Sequence, residues 1–183
     1  MPVTPEQLLE QVLVVRSQLG DEAAFRELFT QHGPGLLRFI ERMLQGAPDH
    51  AADLAQEIWV AIFRGLPALE DPAKFRPWSF RIARDRIFRE YRRRKMIFQP
   101  MEEEHLEASA MAEEAPPDTE HLQQSLAHLS PGHREVLHLR FFEDMSYEEI
   151  ARLVGSSVGT VRSRLHYAKR ALKTALQQQP PIL

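Results

Sequence analysis

The chain contains no cysteine. Disulfides and thiolate metal sites are therefore excluded, and the composition fits a reducing compartment. No apolar run approaches the roughly 18 residues that span a bilayer. The stretch from Met1 to Glu10 carries acids and lacks the basic-then-apolar pattern of an export signal, so a cytoplasmic protein without membrane insertion is expected. Strand signals are nearly absent, with no alternating β-branched runs and no Asn-Gly or Asp-Gly hairpin turns. Lys and Arg are missing altogether from residues 99–129, which hold eight acids.

That last absence explains the net charge of −3. Residues 1–98 hold fifteen Lys/Arg against thirteen Asp/Glu, and residues 130–183 hold eight against five. Two mildly basic ends are masked by an acidic segment, and this distribution says more about partners than the total does. With 183 residues the chain suffices for one ordinary domain or two small ones, and 43% hydrophobic residues is normal for a globular protein.

Helical periodicity runs through the chain. Leu8, Leu9, Val12, Val15 and Leu19 make one apolar stripe, after which Gly20-Asp21 breaks the helix and Asp21 can cap the next. Phe25, Leu28 and Phe29 continue the pattern. Gly33-Pro34-Gly35 reads as a break before Leu36, Leu37, Ile40 and Leu44. A third helix is expected from about Asp49 to Leu66, and a fourth helical region from Asp71-Pro72 to about Lys95. From Gln99 to His128 acids and Pro116-Pro117 replace the apolar stripe, as in a flexible linker. The expected fold is all-α: a helical domain over 1–98, an acidic linker over 99–128 and a second helical domain over 129–183.

The sharpest local signal lies between Ser146 and Leu165. Ser146 and Glu149 form a capping box, Gly155 can turn the chain with positive φ, and Ser157 can cap a second helix. Val161 and Leu165 pack inward. Thr160, Arg162, Ser163, Arg164, His166 and Tyr167 surround the outward arc, extended by Lys169 and Arg170. This is how a helix-turn-helix recognition helix is built for the major groove. Between Phe75 and Lys95 aromatics interleave with arginines, including Trp78, Arg81, Arg84, Arg86, Arg89, Arg92 and Arg93. Cations for a backbone and flat rings for unstacked bases suit single-stranded DNA, although Ile82, Phe88 and Tyr91 also fit core positions. Asp53, Gln56 and Glu57 share one face of the third helix, which suggests a protein partner with basic groups. No His-Glu-x-x-His, phosphate loop or nucleophile elbow is present. His133 and His138 are five apart and do not share a helical face. His121 and His128 near Glu120 allow only weak metal binding. No catalytic residue, metal or cofactor is expected.

Together, in this order and spacing, these segments resemble the extracytoplasmic-function group of bacterial sigma factors over nearly the whole chain. Gly20 to Phe25 looks like the family's early region 2. Asp53-Leu-Ala-Gln56-Glu57 is similar to its polymerase-binding helix, which docks on the coiled coil of the β′ subunit. Trp78 to Lys95 resembles the segment that melts promoters and reads the minus-10 element. Leu129 to Phe142 and the helix-turn-helix that follows resemble region 4, which reads the minus-35 element; Val158-Gly-Thr-Val-Arg-Ser-Arg164 is the most specific piece. The resemblance implies a factor that is not an enzyme and binds the β and β′ subunits of core RNA polymerase, promoter DNA and an anti-sigma factor. It also gives the linker a task, because roughly thirty residues at ~3.3 Å each can span two promoter elements on the order of 70 Å apart. The chain departs from the family pattern in four places: Asp85 stands where Asn is usual, Ser79 fills a usually apolar slot, Tyr167 stands where arginine is frequent, and Gly33-Pro34-Gly35 is unusual. A decoy that titrates an anti-sigma factor would share these features. A stand-alone helix-turn-helix repressor would need neither the Asp53/Gln56/Glu57 face nor the Trp78 segment.

Overall fold

The computed structural model describes residues 4–45, 48–97 and 124–178. Residues 98–123, most of the expected linker, lie outside the described residues, as do Gly46 and Ala47 of an expected turn. All regular elements among the described residues are helical, as the periodicity predicts: α1 (Pro5–Gln18), α2 (Glu22–Leu44), α3 (Pro48–Gly65), α4 (Phe75–Ile97), α5 (Pro131–Phe141), α6 (Tyr147–Val154) and α7 (Val158–Gln178). Short 3-10 helices at Leu66–Ala68 and Pro72–Lys74 join α3 to α4, and a helical turn at 124–127 precedes α5. Contacts divide the chain into two units, Met1–Ile40 with Asp49–Glu90, and Glu41–Pro48 with Tyr91–Leu183.

In the first unit, Thr4 and Gln7 close a capping box that starts α1. The helix buries Leu13, Val14 and Ser17. The apolar stripe prominent in the sequence is on the other side: Val15 is 42% exposed and Leu19 83%, with Leu8, Leu9 and Val12 between them. The buried side is set by long-range contacts that periodicity does not encode, such as Gln18 donating to the Leu66 and Leu69 carbonyls at 3.0 and 2.7 Å.

Helix α2 starts where expected, with the Asp21 carboxylate accepting from the Ala23 and Ala24 amides at 3.0 and 3.1 Å. It then runs unbroken through Gly33-Pro34-Gly35, against the expected break. An internal proline costs a helix about 3 kcal/mol. Leu28 before it and Leu36, Phe39 and Ile40 after it are all buried, and each such side chain stabilises by roughly 1.5–3 kcal/mol. Keeping both halves in register outweighs the lost hydrogen bond. Leu54, Ile58 and Ile62 from α3, and Phe75, Phe80, Ala83 and Ile87 from α4, complete this core. Phe39 meets Phe80 edge-on at 5.3 Å. Ser79, the polar residue in the usually apolar slot, is buried and donates to the Arg76 carbonyl at 2.8 Å.

In the second unit, Ser130 caps α5 and Ser146 with Glu149 forms the expected capping box on α6. Its centre holds Leu137, Leu139, Ile150, Val161 and Leu165, and also a cation. Arg134 is 3% exposed. Its guanidinium donates to the carbonyls of Leu126 (3.0 Å), Ala127 (3.2 Å), Leu129 (2.7 Å), Arg42 (3.0 Å) and Met43 (3.2 Å). Burial pushes its pKa down and Tyr91 opposes the shift. Nearby, Arg42 donates to His138 Nδ1 at 2.9 Å. Arginine has only donors, so Nδ1 accepts and the imidazole proton sits on Nε2, aimed at Glu143 Oε1 3.2 Å away. His138 thus serves a buried hydrogen-bond chain.

Substitutions at two positions probe this packing. Arg134→Met removes five hydrogen bonds to main-chain carbonyls, leaving Ala127, Met43 and Leu126 only their bonds from Gln45, Tyr91 and the Leu129 amide, and should lower unfolding stability in urea by about 3 kcal/mol. Arg134→Lys, with three donors, should recover part of that loss; a neutral Arg134→Met would refute the cradle's importance. Separately, the Ala24 amide first, then Arg16, hold the Asp21 pKa below its ordinary value. A depressed carboxylate stabilises at neutral pH, and that contribution is lost as pH falls through the folded-state value. Asp21→Asn, which still caps, should flatten the acid limb of the stability profile.

Candidate nucleic-acid interface

Local chemistry builds the helix-turn-helix as expected. Gly155 adopts φ +67, where a side chain would be strained, and ends α6. Ser157 Oγ accepts from the Thr160 amide at 3.0 Å and starts α7. Val161, Leu165 and Ala168 are buried. Thr160, Arg162, Ser163, His166, Tyr167, Lys169 and Arg170 are exposed, and Arg164 is half-buried. Arg164 lies close enough to His133 for its charge to lower the imidazole pKa, after the larger effect of burial. His133 is thus a neighbour of the recognition helix that helical spacing alone does not single out. Two hydroxyls are engaged locally: Thr160 with Ser157 at 2.8 Å, and Ser163 donating to the Thr160 carbonyl at 3.0 Å.

Helix α4 sorts its expected DNA-binding residues by face. Trp78, Arg81, Asp85 and Arg89 recur at i, i+3, i+7 and i+11 on the side away from Phe80, Ala83 and Ile87. Arg81, Asp85 and Arg89 are exposed, and Arg92 and Arg93, one turn on, are exposed too. Trp78 is half-buried. Its ring covers the end of α3 so closely that a Cβ on Gly65 would lie 3.1 Å from Cζ2. Part of this tryptophan is therefore core. Arg84 stands over the Phe88 ring, 4.6 Å from its centroid, and 3.9 Å from Asp85. Arg86 instead turns to Glu57, 3.6 Å away.

That pair ties α4 to the expected protein-binding face of α3. Asp53, Gln56 and Glu57 are all exposed, opposite buried Leu54, Ile58 and Ile62. The same face continues into Val60 and Phe63, 48% and 54% exposed, which were not identified from the sequence. Their signal was present: at four and seven residues beyond Gln56 they fall on the polar side of the helix. Phe63 packs edge-on against Phe25 at 4.9 Å, so the patch is held by α2.

Comparison with known proteins is decisive for the family. Residues 28–96 match the family model described as sigma-70 region 2, and residues 119–172 match sigma-70, region 4. The chain is 31% identical over 160 residues to the RNA polymerase sigma factor CarQ of Myxococcus xanthus, covering 86% of this chain and 91% of that protein. It is 30% identical over 186 residues to the ECF RNA polymerase sigma-E factor of Escherichia coli, covering 94% and 96%. The chain belongs to the extracytoplasmic-function sigma factors. Among solved structures, it resembles CnrH in complex with the cytosolic domain of CnrY (TM-score 0.72, 25% identity, 94% of this chain and 99% of that one). It also resembles the sigma factor RpoE in complex with the anti-sigma factor NepR from Bartonella quintana (TM-score 0.72, 25% identity, 85% and 98%). In this sigma factor the region 2 match takes in α3 and nearly all of α4, and the region 4 match takes in α5, α6 and most of α7. Among the described residues no helix is long and apolar enough to cross a membrane.

Asp85 gives the α4 face a direct test. Asp85→Asn removes a negative charge among arginines. It should tighten binding of the holoenzyme to single-stranded non-template oligonucleotide and steepen the salt dependence, by about 0.7 in the log–log slope for each additional phosphate neutralised. An unchanged affinity and slope would place Asp85 away from the strand.

Proposed function

We propose that this sigma factor binds core RNA polymerase and directs it to promoters, with the two helical regions acting at different elements. The observation that carries the reading is the coexistence, in one chain, of three exposed helix faces of different chemistry. Asp53, Gln56 and Glu57 on α3 form the polymerase-docking face, which suits a basic partner surface. Trp78, Arg81, Asp85 and Arg89 on α4, followed by Arg92 and Arg93, take the exposed minus-10 strand. Arg84 and Arg86 support that face from its flanks, one on Phe88 and one on Glu57. Thr160, Arg162, Ser163, Arg164, His166, Tyr167, Lys169 and Arg170 on α7 take the minus-35 duplex.

The mechanism is differential binding. A protein that holds unstacked, single-stranded DNA better than duplex shifts the promoter toward its open form without doing chemistry of its own. Phosphodiester formation belongs to the polymerase, and the factor works where that polymerase is, in the cytoplasm. The anti-sigma factor NepR in complex with the Bartonella factor supports control of this chain by an anti-sigma factor. The domains follow as 1–98 for region 2 and 129–183 for region 4, with 99–128 as the tether.

Run-off transcription on fragmented genomic DNA with the cognate core polymerase tests the whole reading. Discrete new transcripts sharing upstream elements are expected. Asp53→Lys should reduce them about tenfold or more, by placing like charge against a basic partner, while helicity and melting stay unchanged. No transcripts from an otherwise active core would favour the decoy reading, which Asp85 supports and the exposed Arg162 opposes.

A further inference from the structure

Helix α1 gives Leu13, Val14 and Ser17 to the core and turns its apolar stripe outward. Leu8, Val12, Val15 and Leu19 are each between 42% and 83% exposed. At about 100° per residue they fall within an arc of about 60°, opposite the buried side. The helical path reaches the last of them, since the Leu19 amide donates to the Val15 carbonyl at 3.1 Å. Single exposed aliphatic residues are ordinary, whereas a contiguous row of them marks an association surface. The region 2 match begins at residue 28, so α1 lies ahead of it.

The intervals along the stripe are four, three and four residues. These are the intervals at which the seam between two packed helices repeats. The order Leu, Val, Val, Leu also reads the same in both directions, about a midpoint between Leu13 and Val14. A two-fold interface demands this property: where residue i meets residue j, j must meet i. Two copies of α1 laid antiparallel set Leu8 against Leu19 of the second copy, and Val12 against its Val15. Two inner layers of valine and two outer layers of leucine then close a seam about 16 Å long, at ~1.5 Å per residue. A partner of a different sequence would need no such symmetry.

The charges of α1 leave this pairing unopposed. Glu6 and Glu10 lie about 150° or more from the centre of the stripe, and Glu10 is 3.1 Å from His32 of α2. Arg16 is on one flank, where its guanidinium donates twice to the Asp21 carboxylate, at 2.9 and 2.6 Å. Gln11 and Gln18 form the other flank, and Gln18 is turned to the Leu66 and Leu69 carbonyls. Two copies therefore meet without unpaired like charges, and a strongly acidic or basic partner would find no complement on this rim.

We propose that α1 is a self-association seam, on which a second copy of this chain docks antiparallel through Leu8, Val12, Val15 and Leu19. One short seam is at the small end of specific interfaces, so the dimer forms in the micromolar range and responds to the amount of factor present. The pairing is independent of the roles proposed for α3, α4 and α7.

Sedimentation equilibrium of the full chain, from roughly 1 to 300 μM, tests this. The wild-type chain should pass from monomer to dimer across that range. Val12→Glu and Val15→Lys each place a charge in a valine layer, and each alone should weaken the dimer about tenfold or more. Mixed in equal amounts, the two variants should recover most of that loss as a heterodimer. The antiparallel register sets the new acid against the new amine in one layer and keeps valine on valine in the other. Parallel pairing would set Val12 against Val12, and the mixture would gain nothing. The substituted positions are exposed, so helicity and melting of the variants should match wild type. A chain that stays monomeric throughout would overturn the proposal, whether another protein or another segment of this chain covers the stripe. So would a dimer that neither variant weakens, or a mixture of the two that recovers nothing.

Discussion

Each functional helix of this chain must satisfy two surfaces at once, and a repeat of 3.6 residues leaves only three or four positions per two turns for each. On α4, Phe75, Ser79, Phe80, Ala83 and Ile87 are given to the core, which leaves Trp78, Arg81, Asp85 and Arg89 on the outward side. On α7, Val161, Leu165 and Ala168 are given to the core, which leaves the arc from Thr160 to Arg170. The arginine density of α4 follows from this constraint. Cations have to crowd one side because the other is already committed. Those that fall between the sides are neutralised locally, as Arg86 is by Glu57, or laid on a ring, as Arg84 is on Phe88.

What could be read from the sequence divides along the same line. The α6–α7 segment was legible almost residue by residue, because its caps and its turn glycine act through neighbours within a few positions. The capping of α2 by Asp21 was legible for the same reason. The side of α1 that is buried was not, since its five-residue apolar stripe outscores the Leu13, Val14 and Ser17 side that the fold uses. Nor was the continuity of α2 through Pro34, where packing on both sides of the proline overrides a local penalty. Arg134 was invisible for a different reason. Its partners are main-chain carbonyls, which carry no side-chain signature. In the candidate site, residue types and faces were legible, whereas the diversion of Arg86 to Glu57 and the partial burial of Trp78 depend on the approach of α3.

The charge distribution has a functional logic of its own. Non-specific DNA binding grows with the number of phosphates neutralised, and a genome offers a vast excess of wrong sites. A uniformly basic factor of this size would be lost on them. Here the net charge is −3, and exposed cations recur on the outward faces of α4 (Arg81, Arg89) and α7 (Arg162, Lys169, Arg170). Asp85 sits within one of these faces. On the proposed reading of α4, an acid there lowers affinity for any phosphate backbone, while contact with an unstacked base depends on shape and on hydrogen bonds to the base edge. On that reading the acid weakens wrong binding more than right binding, which is how a difference in affinity is widened without adding a single attractive contact.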